Sequence, residues 1–451
     1  MNQTGVRWTS EQVLALAPDD ASRRAGDKLG TAGPWSETGC DAAGAVWGVC
    51  RGSGSKPYRT VVDTTGPASD CSCPSRKFPC KHALGLLLLW ATDGATVAES
   101  AQAPGGWAGE WLDTRRKRPA EKAANGATST ASKTVDPVAA RRRAERRAAR
   151  ITSGATELEQ RLTDLVRGGL AAAERSGYGL WEETAARMVD AQAPGLAGRV
   201  RELGAIPGSG PGWPVRLLEE SALLHLLNTA WLGLDRLPEP LATTVRTRVG
   251  LPSPAGGPSV RDHWLVLAQY DTSDGKLVTR RIRLYGRDSG RSALLLSFGA
   301  AGRAPELALP VGVTIDAEIV PHPGAGQLRA DWGERFGAPA PVEGPPPGGS
   351  VAAAIEVYGA ALRADPWLDA CPVTLRDVIP VPGMGGGWQL ADADGGSALP
   401  VAPVALGHPG LWKLAALSGG GPVTVFGECG HRGFRPLTAW SAEIPGTVPL
   451  T

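Results

Sequence analysis

Apolar and polar residues follow different patterns in successive parts of the chain. Near the start, two β-rich runs at residues 45–50 and 58–63 flank a loop rich in Gly and Ser, and they predict a hairpin. The run at residues 83–90 is apolar on every side, so it predicts a short helix that is buried. These elements predict a small ββα domain over residues 1–112.

Helical periodicity begins near residue 137. The apolar residues that share one side of this first predicted helix are Ala144, Ala148, Ile151, Ala155, Leu158, Leu162 and Leu165. Further helical patterns follow at residues 180–190 and 215–234. Together they predict a helical region over residues 137–250.

From about residue 258 the pattern changes to that of strands. Strand-like runs lie at residues 264–270, 277–285, 293–298 and 311–320. An Asp-Gly pair between the first two runs is typical of a hairpin, and residues 351–363 favour a helix. The pattern therefore predicts a β-rich α+β region over residues 258–451.

Residues 113–136 contain Lys, Arg, Ala, Ser, Thr and Gly, with almost no large apolar residues. This composition is typical of a flexible linker, because it offers little surface to bury. The fold class predicted from the whole pattern is an α+β multidomain protein. It has a small N-terminal ββα domain, a basic linker, a helical region and a β-rich C-terminal region.

Charge is distributed unevenly along the chain, although the formal net charge is only +2. Residues 111–150 carry a net +8, whereas the residues before them carry −1 and the residues after them −5. The basic charge is therefore confined to one segment, which favours an acidic partner at that place.

Four metal-ligand residues lie close together after the predicted hairpin, in the pattern C-x-C-x6-C-x-H. They are Cys71, Cys73, Cys80 and His82. Three thiolates and one imidazole complete the closed tetrahedron of a structural zinc site, with no position left for a reactive water. We therefore predict one structural Zn²⁺ that helps to fold the N-terminal domain.

This pattern, with a hairpin before it and a helix after it, resembles a SWIM-type zinc finger. The resemblance covers about residues 45–90 and implies that Cys71, Cys73, Cys80 and His82 are the zinc ligands. SWIM domains are modules that bind DNA or proteins. The Gly-, Ala- and Arg-rich composition resembles that of actinobacterial proteins, and SWIM proteins of this build resemble members of gene sets with MoxR-type ATPases and von Willebrand factor A proteins. This implies a protein partner of one of those two kinds.

A nucleic-acid-binding function is the alternative. The basic residues that would contact phosphates lie beside the metal-ligand cluster and on one arc of the first long helix. They are Arg76, Lys77, Lys81, Arg142, Arg143, Arg146, Arg147 and Arg150. The same residues also suit a solvated helix face, and no aromatic residues lie among the arginines to stack on bases. Both functions stay open, with a protein partner slightly favoured.

The chain start is polar, and the longest apolar run is too short for the roughly 20 residues of a membrane-spanning helix. We expect a cytoplasmic protein without membrane contact, in which the seven cysteines are reduced. Cys40 and Cys50 are expected to be small core residues. Phosphate-binding loops, nucleophile elbows and His-Glu-x-x-His motifs are missing from the sequence. A non-enzymatic interaction module is therefore the predicted function.

Overall fold

The computed structural model describes most of the chain. The described residues are 7–14, 16–17, 20–52, 56–64, 68–75, 77–100, 106–114, 137–251, 255–273, 277–300, 305, 307–324, 326, 328–337, 339–341, 344–383, 385–444 and 446–451. Most of the predicted linker, residues 115–136, lies outside the described residues. Residues 113 and 114 belong to a described helical segment.

The N-terminal unit is a four-stranded antiparallel sheet with helices on it. Its strands, hydrogen-bonded in chain order, are β1 (Trp35–Cys40), β2 (Ala45–Cys50), β3 (Tyr58–Asp63) and β4 (Ala68–Cys71). Its helices are α1 (Ser10–Leu14), α2 (Asp20–Asp27), α3 (Lys81–Thr92) and α4 (107–114). The predicted hairpin corresponds to β2 and β3 at the predicted bounds. The sequence pattern did not predict the two outer strands, β1 and β4, because their sequences, WSETGC and ASDC, are largely polar.

Helix α3 is the centre of this unit's core. Its leucines are buried and pack against Val46 and Val62 of the sheet and against Trp8. On the opposite face of the sheet, Ala108 and Leu112 of α4 contact Val61. The apolar run is thus buried on all sides, as its pattern predicted, because the sheet and α1–α2 enclose it.

Helix α3 approaches α2 and the turn that follows it closely at two glycines. A Cβ atom on Gly85 would lie 2.5 Å from the Cβ of Leu29, and one on Gly26 would lie 2.7 Å from the Cβ of Leu84. We expect Gly85→Ala to lower the free energy of unfolding by about 1–3 kcal/mol, because the two segments must separate. Urea unfolding followed by circular dichroism measures this loss.

Gly198→Ala is the matched control for that substitution. Gly198 is also a helical glycine, but a Cβ there would meet nothing within 4 Å. The control is expected to leave stability unchanged or raise it by up to about 1 kcal/mol, since Ala favours helix over Gly. Equal losses in the two variants would contradict the close approach.

The second unit is a helical bundle with a core of its own. Its helices are α5 (Pro137–Gly168), α6 (Ala171–Asp190), α7 (Pro194–Ala205), α8 (Trp213–Leu232) and α9 (Glu239–Val249). On the predicted apolar side of α5, Ile151, Ala155, Leu158 and Leu162 are buried, whereas Ala144 is exposed. The sequence pattern did not predict helices α7 and α9, because they are short and contain Gly or Pro.

The C-terminal region contains two further antiparallel sheets. The second sheet has the order β10-β8-β5-β6-β7, with β9 paired to β8. Its strands are β5 (Val260–Ser273), β6 (Leu277–Gly286), β7 (Ser292–Ala300), β8 (Val313–Pro321), β9 (Ala330–Arg335) and β10 (Ala340–Pro341). One face packs around Trp264, Ile282 and Leu295.

The third sheet has the order β13-β12-β11-β14-β15-β16. Its strands are β11 (Ala370–Pro382), β12 (Trp388–Asp392), β13 (Ala398–Pro400), β14 (Val423–Gly430), β15 (Gly433–Trp440) and β16 (Val448–Pro449). The helices associated with it are α10 (Val351–Ala364), α11 (Pro403–Leu406) and α12 (Gly410–Ser418).

The units pack against one another. The second and third sheets share a small apolar core that includes Leu267, Phe426 and Leu437. Arg248 of α9 joins the helical unit to the end of α10, which is associated with the third sheet. It donates to both carboxylate oxygens of Asp365, the C-cap residue of α10, over 2.5–3.2 Å. The predicted order of elements, with an N-terminal zinc-binding region and a β-rich C-terminal region, is confirmed. Among the described helices, none is long and apolar enough to cross a membrane.

Candidate metal centre

The four predicted zinc ligands come from two structural elements. Cys71 is the last residue of β4, and Cys73 follows in the turn after it. Cys80 is the N-cap of α3, and His82 lies in its first turn. The six residues between Cys73 and Cys80 therefore only need to connect the turn after β4 to the start of α3, and a spacer of this length is sufficient.

The ligand atoms form a compact cluster. The three Sγ atoms and one ring nitrogen of His82 all lie within 4.8 Å of one another. The Sγ of Cys71 is 3.7 Å from Nδ1 of His82. Tetrahedral zinc, with bonds of about 2.3 Å to sulfur and about 2.0–2.1 Å to nitrogen, places its ligand atoms about 3.6–3.8 Å apart. The donor set and its spacing fit one structural zinc ion.

Neighbouring groups hold the ligands in place. The backbone N–H of Ala83 donates to the Sγ of Cys80 over 3.4 Å, and the Thr60 hydroxyl lies 3.2 Å from the Sγ of Cys71. The ring of Tyr58 packs on the His82 ring with centroids 4.7 Å apart. Such contacts orient metal ligands and tune their basicity. Tyr58 and Thr60 could not be predicted as part of the site from the sequence, because only the pairing of β3 with β4 brings them to the cluster.

The pKa values of the three thiols in the cluster differ when no metal is bound. A hydrogen bond from Cys80 lowers the pKa of Cys71 to about 4, and the same contact raises the pKa of Cys80. Burial raises the pKa of Cys73. Zinc coordinates thiolates, so the ion must displace the remaining thiol protons when it binds. Zinc affinity therefore falls as the pH falls.

The other cysteines of the N-terminal unit lie outside the cluster. Cys40 and Cys50 are buried in the core around α3, as small apolar residues usually are. Burial raises the pKa of both thiols, which keeps them protonated and unreactive.

The predicted nucleic-acid-binding residues differ in their exposure and contacts. Arg76 lies outside the described residues, and Lys77 and Lys81 are exposed beside the metal cluster. Of the five arginines predicted on α5, four are exposed: Arg142, Arg143, Arg146 and Arg150. Arg147 is half-buried and donates to the carbonyl of Gly250 over 3.3 Å, and Arg150 donates to the side chain of Gln192 over 2.7 Å. Two of the five predicted arginines of α5 thus stabilise the bundle.

The helical unit exposes an apolar surface that the sequence pattern did not indicate. Val215, Leu218 and Leu226 of α8 are 62%, 49% and 44% exposed, and Ala222 between them is also exposed. Their spacing of three and four residues places them on one side of the helix. We call these residues the α8 outer row. Apolar residues occupy every side of α8, so the sequence alone could not tell which side is buried.

Comparison with protein families identifies two matches. Residues 58–91 match the model of the SWIM zinc finger, and residues 146–249 match the model of the SWIM-associated four-helix bundle domain. The first match includes all four metal ligands together with β3, β4 and α3. The second covers most of α5 and all of α6–α9. No curated protein and no solved structure shows a significant match to the chain.

Proposed function

We propose that this SWIM-type zinc finger protein, with its finger at residues 58–91, is a non-enzymatic interaction protein that binds an amphipathic helix of a protein partner through its bundle. The α8 outer row is the observation that carries the proposal. Contiguous exposed apolar residues on a folded unit are typical of protein interaction sites.

The metal centre supports a role in folding rather than in chemistry. Four protein ligands complete the tetrahedron around zinc, so no coordination position is left for a substrate or a water. Cys80 and His82 are buried as well. The finger therefore supplies a stable unit at the start of the chain, which leaves recognition to surfaces elsewhere.

The shape of the α8 outer row favours a helix as the partner's contact element. Val215 and Leu226 are eleven residues apart, which corresponds to about 17 Å along a helix axis. An amphipathic helix of two to three turns covers such a row with residues at the same three- and four-residue spacing. A nucleic acid offers no apolar surface of this kind, and for this reason a protein partner is preferred.

The α8 outer row can be tested with the intact protein as bait in a pull-down. Leu218→Asp combined with Leu226→Asp is expected to remove the specific partner, because two charges would be buried in an apolar interface. Capture of the partner by the wild type is expected to persist after nuclease treatment and to be similar at low and high salt. Mass spectrometry identifies it.

Ser153→Asp combined with Gln160→Asp is the matched control, since it adds the same charge at exposed polar positions of α5. Partner binding by the control is expected to equal that of the wild type. Capture that is lost on nuclease treatment and falls steeply with salt would instead favour the nucleic-acid-binding alternative, with Lys77, Lys81 and the exposed arginines of α5 as contacts.

A further inference from the structure

A cleft of ≈ 770 Å³ lies where the helical unit meets the second and third sheets. Its lining comes from α9, from β5–β7, from the loop before β9, and from α10, β11, β14 and β15. The volume falls within the range of about 300–1,000 Å³ that is typical of small-molecule sites. None of the described residues of the zinc finger lines it.

One wall of the cleft is formed by the face of the second sheet that is turned away from that sheet's own core. Arg281 and Arg283 lie two residues apart on β6, so both side chains project from this face. Ile282 and Leu284 project from the other face, into the core. Tyr270 stands directly opposite Arg281 on β5 and also lines the cleft.

Arg283 is buried but only partly hydrogen-bonded. Its Nε and Nη2 donate to Oε1 of Glu428, which also accepts from the hydroxyl of Tyr270 over 2.8 Å. Its Nη1 is buried and has no hydrogen-bond partner among the described residues. The residue is 6% exposed. A buried guanidinium N–H without a partner is costly, so an acceptor in the cleft would stabilise this arrangement.

Charges around the cleft are out of balance. Five arginines line it against three carboxylates, which leaves two positive charges in excess. Asp365 is held by Arg248, Glu428 by Arg283, and Asp369 lies 3.7 Å from Arg199 outside the cleft. Within the described part of the chain, Arg281 and Arg329 form no ion pair. Residues 151–451 are net acidic, so this local excess is not a consequence of composition.

Apolar side chains complete the lining. Leu294 and Leu296 lie on β7 beside the arginines, and Val357 and Leu368 form part of the opposite wall. Leu294 also forms an isolated bridge with Arg329, which places Arg329 next to the arginine-bearing face. The cleft therefore combines an anion-binding side with apolar walls.

We propose that this cleft binds a phosphate monoester of a small organic molecule. Arg281, Arg329 and the free Nη1 of Arg283 bind the phosphate, since guanidinium groups match phosphate oxygens in charge and geometry. The apolar walls contact the organic part. Glu428 and Tyr270 hold Arg283 in position and do not contact the ligand.

Isothermal titration calorimetry of the full-length protein at low ionic strength tests the proposal, with AMP, adenosine and inorganic phosphate as probes. AMP is expected to bind more tightly than inorganic phosphate, and adenosine is expected not to bind. Arg281→Gln and Arg329→Gln are each expected to weaken AMP binding about tenfold to a hundredfold, because each removes a charged hydrogen-bond donor.

Arg287→Gln is the control, because Arg287 is an exposed arginine in the turn after β6 and does not line the cleft. It is expected to bind AMP like the wild type, and the melting temperatures of all three variants report that they are folded. The proposal is overturned if AMP shows no binding at millimolar concentration. It is also overturned if adenosine binds as tightly as AMP, or if Arg287→Gln weakens binding as much as Arg281→Gln.

Discussion

Cys80→Ser combined with His82→Ala is expected to lower the zinc content from about one ion per chain to almost none. The N-terminal unit is expected to unfold with it, because metal binding in small zinc domains contributes about 10–16 kcal/mol of apparent folding free energy. Cys80 caps α3, and His82 lies in its first turn, so the loss begins at the helix that forms the core. Inductively coupled plasma mass spectrometry measures the zinc, and limited proteolysis locates the unfolded segment.

Cys50→Ala is the matched control for the metal centre. Cys50 is a buried thiol of β2 in the same core, but it lies outside the ligand cluster. This variant is expected to retain the full zinc content, with at most a modest loss of stability. Wild-type protein without zinc after metal-replete expression, or equal zinc loss in the two variants, would show that the cluster is not the zinc site.

Glu428→Ala is expected to lower the free energy of unfolding of the C-terminal region by about 3–5 kcal/mol. Glu428 is 8% exposed and accepts hydrogen bonds from Arg283 and from Tyr270. Its removal leaves the buried charge of Arg283 and the hydroxyl of Tyr270 without an acceptor. Thermal and urea unfolding followed by tryptophan fluorescence measure the loss.

Acid is expected to remove the contribution of Glu428. Burial by itself raises the pKa of this carboxyl, but the Arg283 guanidinium outweighs burial and holds the pKa below its ordinary value. A carboxyl with a lowered pKa stabilises the fold above its unfolded pKa of about 4.3, and this stabilisation is lost as the pH falls through the folded pKa. The stability difference between wild type and Glu428→Gln is therefore expected to be constant near neutral pH and to shrink below about pH 4.3.

Glu443→Ala separates this effect from a general loss of negative charge. Glu443 is an exposed residue between β15 and β16. Its removal is expected to change the free energy of unfolding by less than about 0.5 kcal/mol at any pH at which the protein is folded. A loss for Glu428→Ala that is no larger than for Glu443→Ala would contradict the buried network.

The metal ligands could be predicted from sequence because zinc chemistry restricts both residue type and spacing. Cys71, Cys73, Cys80 and His82 lie within one short segment, so a strand end and a helix start are enough to bring them together. Elements rich in apolar residues were also predicted well, as β2, β3 and α10 show. Short polar strands such as β4 carry no such pattern, and they form because a neighbouring strand offers hydrogen bonds.

The basic residues illustrate where local pattern was not sufficient. The five predicted arginines of α5 occupy one arc of the helix, yet Arg147 and Arg150 donate hydrogen bonds to other parts of the bundle and Arg147 is half-buried, whereas Arg142 and Arg143 are exposed. The difference depends on where Gly250 and Gln192 lie in space. A helical wheel contains no such information, since it describes one helix without its neighbours.

The sequence by itself determined the zinc ligands, the order of helical and strand-rich parts, and the segment in which basic charge is concentrated. Each depends on residues that are close in the chain. Only the tertiary structure decided which side of α8 is exposed and that Arg283 meets Glu428, a residue 145 positions away, beside a cleft. Contacts over such distances follow from the packing of whole units, in which many apolar surfaces compete for burial, and no local pattern specifies the result.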